Sequence, residues 1–543
     1  MNGFMKKIKR PVIHVESSCQ VEMFVPENDV KQATAAPPGK DAVRFKDSDP
    51  RDIYLGSLCI ETHLSKAGIV APSLIRQLLS ELDWSDFKCK YQAGGRPPYH
   101  PRLMMGMILY GIAKGVSSLR GLEELARTDL GCMWIGGGIC PDHSIFGRFI
   151  NKHRVQITGD FFMSVTRQVL ERTGSDCESV AGDGTVVQAA ASRFGLIKQE
   201  AARQAQHDAE RSAKENPDDP EMQRKKEVAD EVAKTLHRRR EARRKKGKPF
   251  DHVKVSRTEP QAMHQPLKTK QRAPSYKASI LANEKRIVVA AAVNPSSETK
   301  AVKPMMEDVK KLSGQMPRQG MFDAGYHCQE VIDVAMENNM DLPCPAGRTN
   351  NNGSEKKSTS KHFPKSKFVY DDQSDLYRCP AGEVLKPTEH RRGNSTEPGY
   401  VRYGTKSCAG CQLRDGCTKS AGGRKIKRYA VDEKKEALRQ VMEQKGAQLR
   451  YLKRQAMVEP VFSELRYRQG LMRFRRKGTD AVRLEFFLHV SAHNLRRAAA
   501  VLSVVFLRLW LATRRYCSVY VPPPLVTASR RRSPPPGGRR FLS

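Results

Sequence analysis

Two aspartates stand where apolar, β-branched runs of this chain come to an end. Asp183 lies within Ser179-Val180-Ala181-Gly182-Asp183-Gly184-Thr185-Val186-Val187, and Asp323 closes Met321-Phe322 ahead of Ala324-Gly325-Tyr326. Both runs have the composition of strands, and the glycine near each aspartate permits close approach of a ligand to the backbone. Carboxylates at the ends of neighbouring strands suit hard divalent cations, which take oxygen ligands, and a rigid strand fixes their spacing. Taken singly, each Asp-Gly pair is as well explained by an ordinary turn. A third element is the segment from Tyr451 to Arg466, in which Glu459 and Arg466 are seven residues apart. That is about two helical turns, so a helix would set a carboxylate for metal and a guanidinium for phosphate on one face. Pro460 removes an amide donor and disfavours helical geometry at Glu459, which predicts a kink or a helix that begins at Pro460. An ordinary solvent-facing ion pair is the alternative. Glu298, just after another strand-like run, is a candidate fourth carboxylate. His327 reads as a hydrogen-bonded histidine at a helix start, and Asp142-His143 as a helix cap.

A second constellation is Cys408-x2-Cys411-x5-Cys417 with Cys379 upstream. Four thiolates in one short stretch suit a closed tetrahedral zinc site. With a single Cys-x2-Cys pair, four ordinary reduced cysteines explain the pattern equally well. A thioredoxin-like redox role lacks the βαβ setting it needs. The chain has 13 cysteines, an odd and scattered set, which argues against a secreted disulfide framework and for a reducing cytoplasm.

The elements that must position these groups follow from pattern. At 543 residues the chain is expected to form three or four structural units, at roughly 100–200 residues each. Residues 1–45 carry no sustained period and read as a flexible arm. Residues 46–175 read as a helical DNA-binding domain, with Leu103, Met104, Met107, Leu109 and Ile112 at helical spacing; a packing or dimerisation domain fits that pattern as well. Residues 176–345 hold the two aspartate strands, interrupted over about 196–275 by a charged insertion containing Arg238-Arg239-Arg240 and Arg243-Arg244-Lys245-Lys246. That insertion is either a solvated helical arm or one that tracks phosphates. Residues 346–431 form a linker and the cysteine module, 432–507 a helical end, and 508–543 a basic, proline-rich tail read as disordered. The run from Ala498 to Leu507 is short of the ~20 residues a bilayer needs and reads as a core helix. Lys and Arg number 95 against 59 Asp and Glu, a net charge of +36. The first implied partner is a polyanion, with an anionic membrane surface as the rival.

In chain order these motifs resemble the DDE transposases of bacterial insertion sequences, in the branch with a Tyr-x2-Arg-x4-Glu-x6-basic signature. Here that signature is Tyr451, Arg454, Glu459 and Arg466. The first aspartate motif is Asp183-Gly184-Thr185 with Ala189 and Ser192, the second Asp323-Ala324-Gly325-Tyr326, and the ending is His493-Asn494-Leu495 after Arg473-Phe474 and Lys477-Gly478. The stretch from His100-Pro101 to Phe149 is similar to the helical domain that precedes such cores, so the resemblance covers roughly residues 53–507. Arg466 stands where the family usually has Lys, and Ser463 where Gly is usual. The ending after Ala512 has no counterpart.

The resemblance implies a ribonuclease-H-like α/β core, a mixed sheet flanked by helices, with an all-helical N-terminal domain and an inserted cysteine module. It implies Asp183, Asp323 and Glu459 as catalytic, metal-holding acids. The cofactor would be Mg2+ or Mn2+, two ions being the usual number for in-line phosphodiester displacement. Tyr451, Arg454 and Arg466 would be DNA phosphate contacts. It also implies double-stranded DNA, as element ends and target, for substrate, at least a homodimer because two ends are processed together, and a cytoplasmic, nucleoid-associated protein without a membrane. The rivals are a non-catalytic or domesticated DNA-binding protein and a metal-dependent nuclease without strand transfer. Structural Zn2+ on Cys379, Cys408, Cys411 and Cys417 is a separate expectation.

Overall fold

Apolar residues at helical spacing make a run of helices over the first third of the chain. The structure, a computed structural model, describes residues 43–47, 53–245, 247–267, 269–346, 362–363, 365–393 and 399–517. Most of the arm expected over 1–45, the linker over 348–367 and the tail beyond 517 lie outside the described residues. After a two-residue hairpin, Tyr54–Leu55 with Leu58–Cys59, come α1 (Ile60–Lys66), α2 (Ala71–Ser80), α3 (Pro101–Ala113), α4 (Leu119–Thr128), α5 (Leu130–Gly136), α6 (His143–Lys152) and α7 (Phe162–Thr173). Local chemistry sets their starts: Ser118 accepts from Gly121 N at 3.1 Å and Asp142 from Ile145 N at 2.8 Å, caps worth about 1 kcal/mol each. Helix α3 is buried from Leu103 through Ile112, apolar all round as a central packing helix must be. It cannot be an element that enters a DNA groove.

The second region is a sheet. Its strands are β1 (Ser179–Gln188), β2 (Met263–Pro266), β3 (Arg272–Asn283), β4 (Val288–Asn294) and β5 (Gln319–Met321). β3 is antiparallel to β1, β2 and β4, with β2 and β4 end to end along its outer edge, and β5 is parallel to β1. Residues 341–343 extend the sheet beyond β5, through Gly320 N to Asp341 O at 2.9 Å and Phe322 N to Pro343 O at 3.2 Å. The result is a mixed sheet with β1 in its interior. Interior β1 carries no side chain at Gly182 because a Cβ there would meet the Phe322 ring at 2.1 Å.

Between β1 and β2 the charged insertion folds as an antiparallel pair, α8 (Gln199–Glu215) and α9 (Pro220–Arg244). Its basic run is partly structural. The Arg239 guanidinium donates to the carbonyls of Pro260, Gln261 and Ala262 at 3.0–3.1 Å, and Arg243 Nε to Pro249 O at 2.7 Å. Arg238 and Arg244 stay exposed. The base of the insertion is anchored to the core by Glu259, buried, whose carboxylate accepts from Tyr276 and from Gly478 N.

After β4 come α10 (Val302–Ser313) and, beyond β5, α11 (Gln329–Glu337). A five-stranded antiparallel sheet follows: β6 (Val369–Asp371), β7 (Leu376–Arg378), β8 (Val384–Arg391), β9 (Tyr400–Gly404) and β10 (Lys425–Arg428). It has its own small core of Phe368, Tyr377, Leu385, Tyr403 and Ile426. Then α12 (Ala430–Glu443), α13 (Lys445–Ser463) and α14 (Thr479–Cys517) complete the fold. The main apolar cluster runs from Ile60 through Val180 and Leu281 to Ala498, so the N-terminal helices and the sheet share one core. No helix among the described residues is long and apolar enough to cross a membrane.

The closing motifs now have physical roles. Asn494 acts as a strand mimic: its Oδ1 accepts from Val288 N and its Nδ2 donates to Val288 O, both at 2.8 Å. His493 Nε2 lies 2.8 Å from Arg286 O. Together they tie α14 to the β3–β4 turn. Arg473 Nε donates to Ala189 O at 3.1 Å, and Phe474 N to Gln188 O at 2.8 Å, so the loop before α14 holds the far end of β1.

Candidate active site

Parallel pairing of β1 with β5 sets Ala181 opposite Met321. Two residues on along each chain, Asp183 and Asp323 reach the same level, at the point where β5 ends and β1 continues with an open edge. Asp183 Oδ1 accepts from Gly184 N at 2.8 Å. Asp323 caps the turn that follows, its Oδ1 accepting from Gly325 N at 2.9 Å, while its carbonyl accepts from the Cys344 thiol at 3.2 Å.

Helix α13 packs across this level of β1 and β3. Arg454 is buried, its Nε donating to Gly182 O at 3.2 Å and its Nη2 pairing with Asp183 Oδ1 at 3.1 Å. Burial pushes the Asp183 carboxyl above its usual range; Arg454 and the Gly184 amide pull it back, and the charges of Asp323 and Glu298 push it further up. Tyr451, one turn earlier, is half-buried. Burial raises its hydroxyl pKa, Arg454 opposes the rise and the Asp323 charge adds to it, so the phenol is protonated and able to donate. Arg466 is 9% exposed and its Nη2 has no partner. Burial lowers its pKa while Tyr467 and Asp183 oppose the change.

Glu459 sits on the exposed side of α13, its Oε2 accepting from Gln455 at 3.0 Å. The expected shared face with Arg466 is not what forms. A wider turn over Glu464–Arg468, closed by Gln469 N on Glu464 O at 3.0 Å, rotates Arg466 into the interior. The expected kink or fresh start at Pro460 is also corrected, since α13 runs through it. Pro460 leaves the carbonyl of Ala456 without its helical donor, and Arg286 Nε fills the gap at 3.0 Å. Nothing in the sequence links residues 170 positions apart.

The other residues singled out fall as follows. His327 Nδ1 lies 3.3 Å from Cys344 O, and burial lowers its pKa. Glu298 comes against Gly184 and pairs with Lys277 Nζ at 3.4 Å. Lys277, Ser279 and Arg286 carried no sequence signal. Lys277 and Ser279 alternate within an apolar strand, and Arg286 sits in an ordinary turn.

Cys379, Cys408, Cys411 and Cys417 line one enclosed space, with Phe363 and Phe368 among its other walls. All four are free thiols. Burial raises the Cys417 pKa, Arg424 opposes it, and the other three cysteines raise it further. Among the described residues, no three of His, Cys, Asp or Glu are set together closely enough to hold a metal ion as they stand. At the carboxylates the reason is visible: the Arg454 guanidinium already occupies Asp183 Oδ1, supplying the positive charge a cation would bring. The donors there are hard oxygens, which suit Mg2+ or Mn2+. The thiols suit zinc.

Two stretches match family models. Residues 378–499 match a transposase DDE domain, and residues 66–152 match a transposase domain (DUF772). The first takes in the cysteine module and α13 with Glu459, and ends within α14; Asp183 and Asp323 lie between the two matches. Among curated proteins nothing matches the chain. The mixed sheet and flanking helices are compatible with a ribonuclease-H-like core, and the two matches, in this order along one chain, support a DDE transposase.

Proposed function

We propose that this protein is a transposase that cuts DNA at the ends of an insertion sequence and joins them to a target. The observation that carries the reading is the meeting of Asp183 and Asp323 at one level of adjacent strands, braced by Arg454 and faced by the unpartnered guanidinium of Arg466. Asp183 and Asp323, with Glu459 as the signature's third acid, would hold Mg2+ or Mn2+. Bound there, such ions activate a water or a DNA 3′-hydroxyl and stabilise the leaving oxygen of an in-line displacement. The chain's own groups do the rest. Arg466 offers a desolvated donor to a phosphate oxygen, where a charge-assisted hydrogen bond is strongest. Tyr451 donates from its protonated phenol. Arg454 fixes Asp183 against the Gly182 carbonyl. The excess of basic residues supplies non-specific affinity for duplex DNA that weakens with salt, and joining two ends calls for at least two copies.

Incubation of the full chain with end-bearing duplex, target DNA and Mg2+ or Mn2+ tests this against its rivals. Joined products are expected. Cutting without joining would leave a nuclease, and binding without cutting a DNA-binding protein. The same reading includes structural zinc on Cys379, Cys408, Cys411 and Cys417, supported by the space they share. The purified chain should carry about one zinc, lost in Cys408→Ser and Cys417→Ser. A folded protein free of zinc would remove that part alone.

A further inference from the structure

Strand β1 is opened for one side chain from outside it. A Cβ on Gly184 would lie 2.7 Å from both Cγ and Cδ of Glu298, and 3.0 Å from its Oε1. Glu298 follows β4 and directly precedes the short turn that leads into α10. Its carboxyl is brought over the strand residue adjacent to Asp183, and its charge acts on Asp183. Beneath the same point lies Tyr326, 1% exposed, whose hydroxyl has no hydrogen-bond partner. Glu298, Asp183 and Asp323 all bear on that hydroxyl. Ser279, opposite Gly184 on β3, also acts on it, yet the two hydroxyls do not meet hydrogen-bond geometry and Ser279 Oγ is itself unpartnered. Buried hydroxyls without partners beside three carboxylates call for a group that brings its own donors and acceptors. A Mg2+-type ion, which keeps several of its waters, does so.

We propose that Glu298 is a further carboxylate of the catalytic centre, acting with Asp183 and Asp323 on a divalent cation. This rests on the reading of the chain as a metal-dependent transposase. The competing role for Glu298 is structural, as the partner of Lys277 at 3.4 Å, and the two roles separate experimentally.

Mn2+ uptake by the full chain, without DNA, is measured by calorimetry for the wild type, Glu298→Gln, Gly184→Ala, Asp183→Asn and Lys277→Met, with cation-free melting curves to show that each folds. Glu298→Gln is expected to weaken uptake by about tenfold or more. Gly184→Ala, which displaces the carboxyl without removing its charge, should do likewise. Lys277→Met should leave uptake unchanged. Wild-type uptake by Glu298→Gln beside a loss in Asp183→Asn overturns the proposal and spares the transposase reading. Equal losses in Glu298→Gln and Lys277→Met also overturn it, in favour of the ion pair. Unchanged uptake in both Glu298→Gln and Asp183→Asn removes the proposal and the metal-dependent reading together. Should Glu298→Gln fail to fold, Gly184→Ala decides by the same criterion.

Discussion

Asp183→Asn is expected to abolish DNA cleavage while leaving duplex binding intact. Loss of a cation ligand forfeits several kcal/mol of transition-state stabilisation, which at 1.36 kcal/mol per tenfold amounts to roughly a thousandfold or more. The amide oxygen of Asn can still accept from Gly184 N and from Arg454, the two partners Asp183 has now. Folding should not suffer. Burial outweighs Arg454 in setting the Asp183 pKa, which lies above its unfolded value. A carboxyl raised in this way binds more protons folded than unfolded, so its ionisation costs stability as pH rises through the folded pKa. A neutral Asn escapes that cost, and the variant should hold its stability at neutral pH. Gel-shift binding, cleavage and chemical denaturation on the same preparation check this. Wild-type cleavage by the variant would remove Asp183 from the chemistry, and lost binding or folding would make its role structural.

Arg454→Met should be the most destabilising single change at the site. Removal of one partner from a largely buried ion pair typically costs about 3–5 kcal/mol, because the other charge is left uncompensated; Arg454 and Asp183 side chains are 10% and 23% exposed. The Gly182 carbonyl also loses its side-chain donor. The deficit should depend on pH in a defined direction. Where Asp183 is protonated, no orphan charge exists, and the cost reduces to the hydrogen bond and packing. As pH rises through the Asp183 pKa the penalty grows. Without Arg454 that pKa moves further up, so protons compete with cation at higher pH and Mn2+ uptake should develop at a higher pH than in the wild type. Denaturation midpoints measured across pH 4 to 8, with cation titrations at each pH, provide the check. A deficit independent of pH would show that Arg454 acts through packing and not through its pairing with Asp183.

Much of the site could be read from residues in order. The β-branched run around Asp183 and the short run before Asp323 have strand composition, and parallel pairing then puts the two acids at one level. Tyr451 and Arg454 are three apart, so one helix carries both to the same side, toward Asp323 and Asp183. The caps at Ser118 and Asp142 are local hydrogen bonds between near neighbours, which local sequence specifies. The all-round apolar composition of Leu103 to Ile112 excludes a solvent-facing or groove-reading role.

What the sequence could not settle depends on contacts between distant segments. Pro460 reads as a break because the missing amide is local. The remedy, Arg286 on the Ala456 carbonyl, comes from a turn far away in the chain. Arg239 and Arg243 read as phosphate-seeking charge because composition counts cations without their partners. Folding gives those cations backbone carbonyls to hold. Glu298 is one acid after one strand in the sequence, and only the folding of that strand's end over Gly184 brings it beside Asp183. By itself the sequence determined element types, caps and the level of the two strand acids, because these depend on near-neighbour sterics and period. The tertiary structure alone decided which buried polar group meets which charge, because in a close-packed interior that is a property of three-dimensional proximity and not of spacing along the chain.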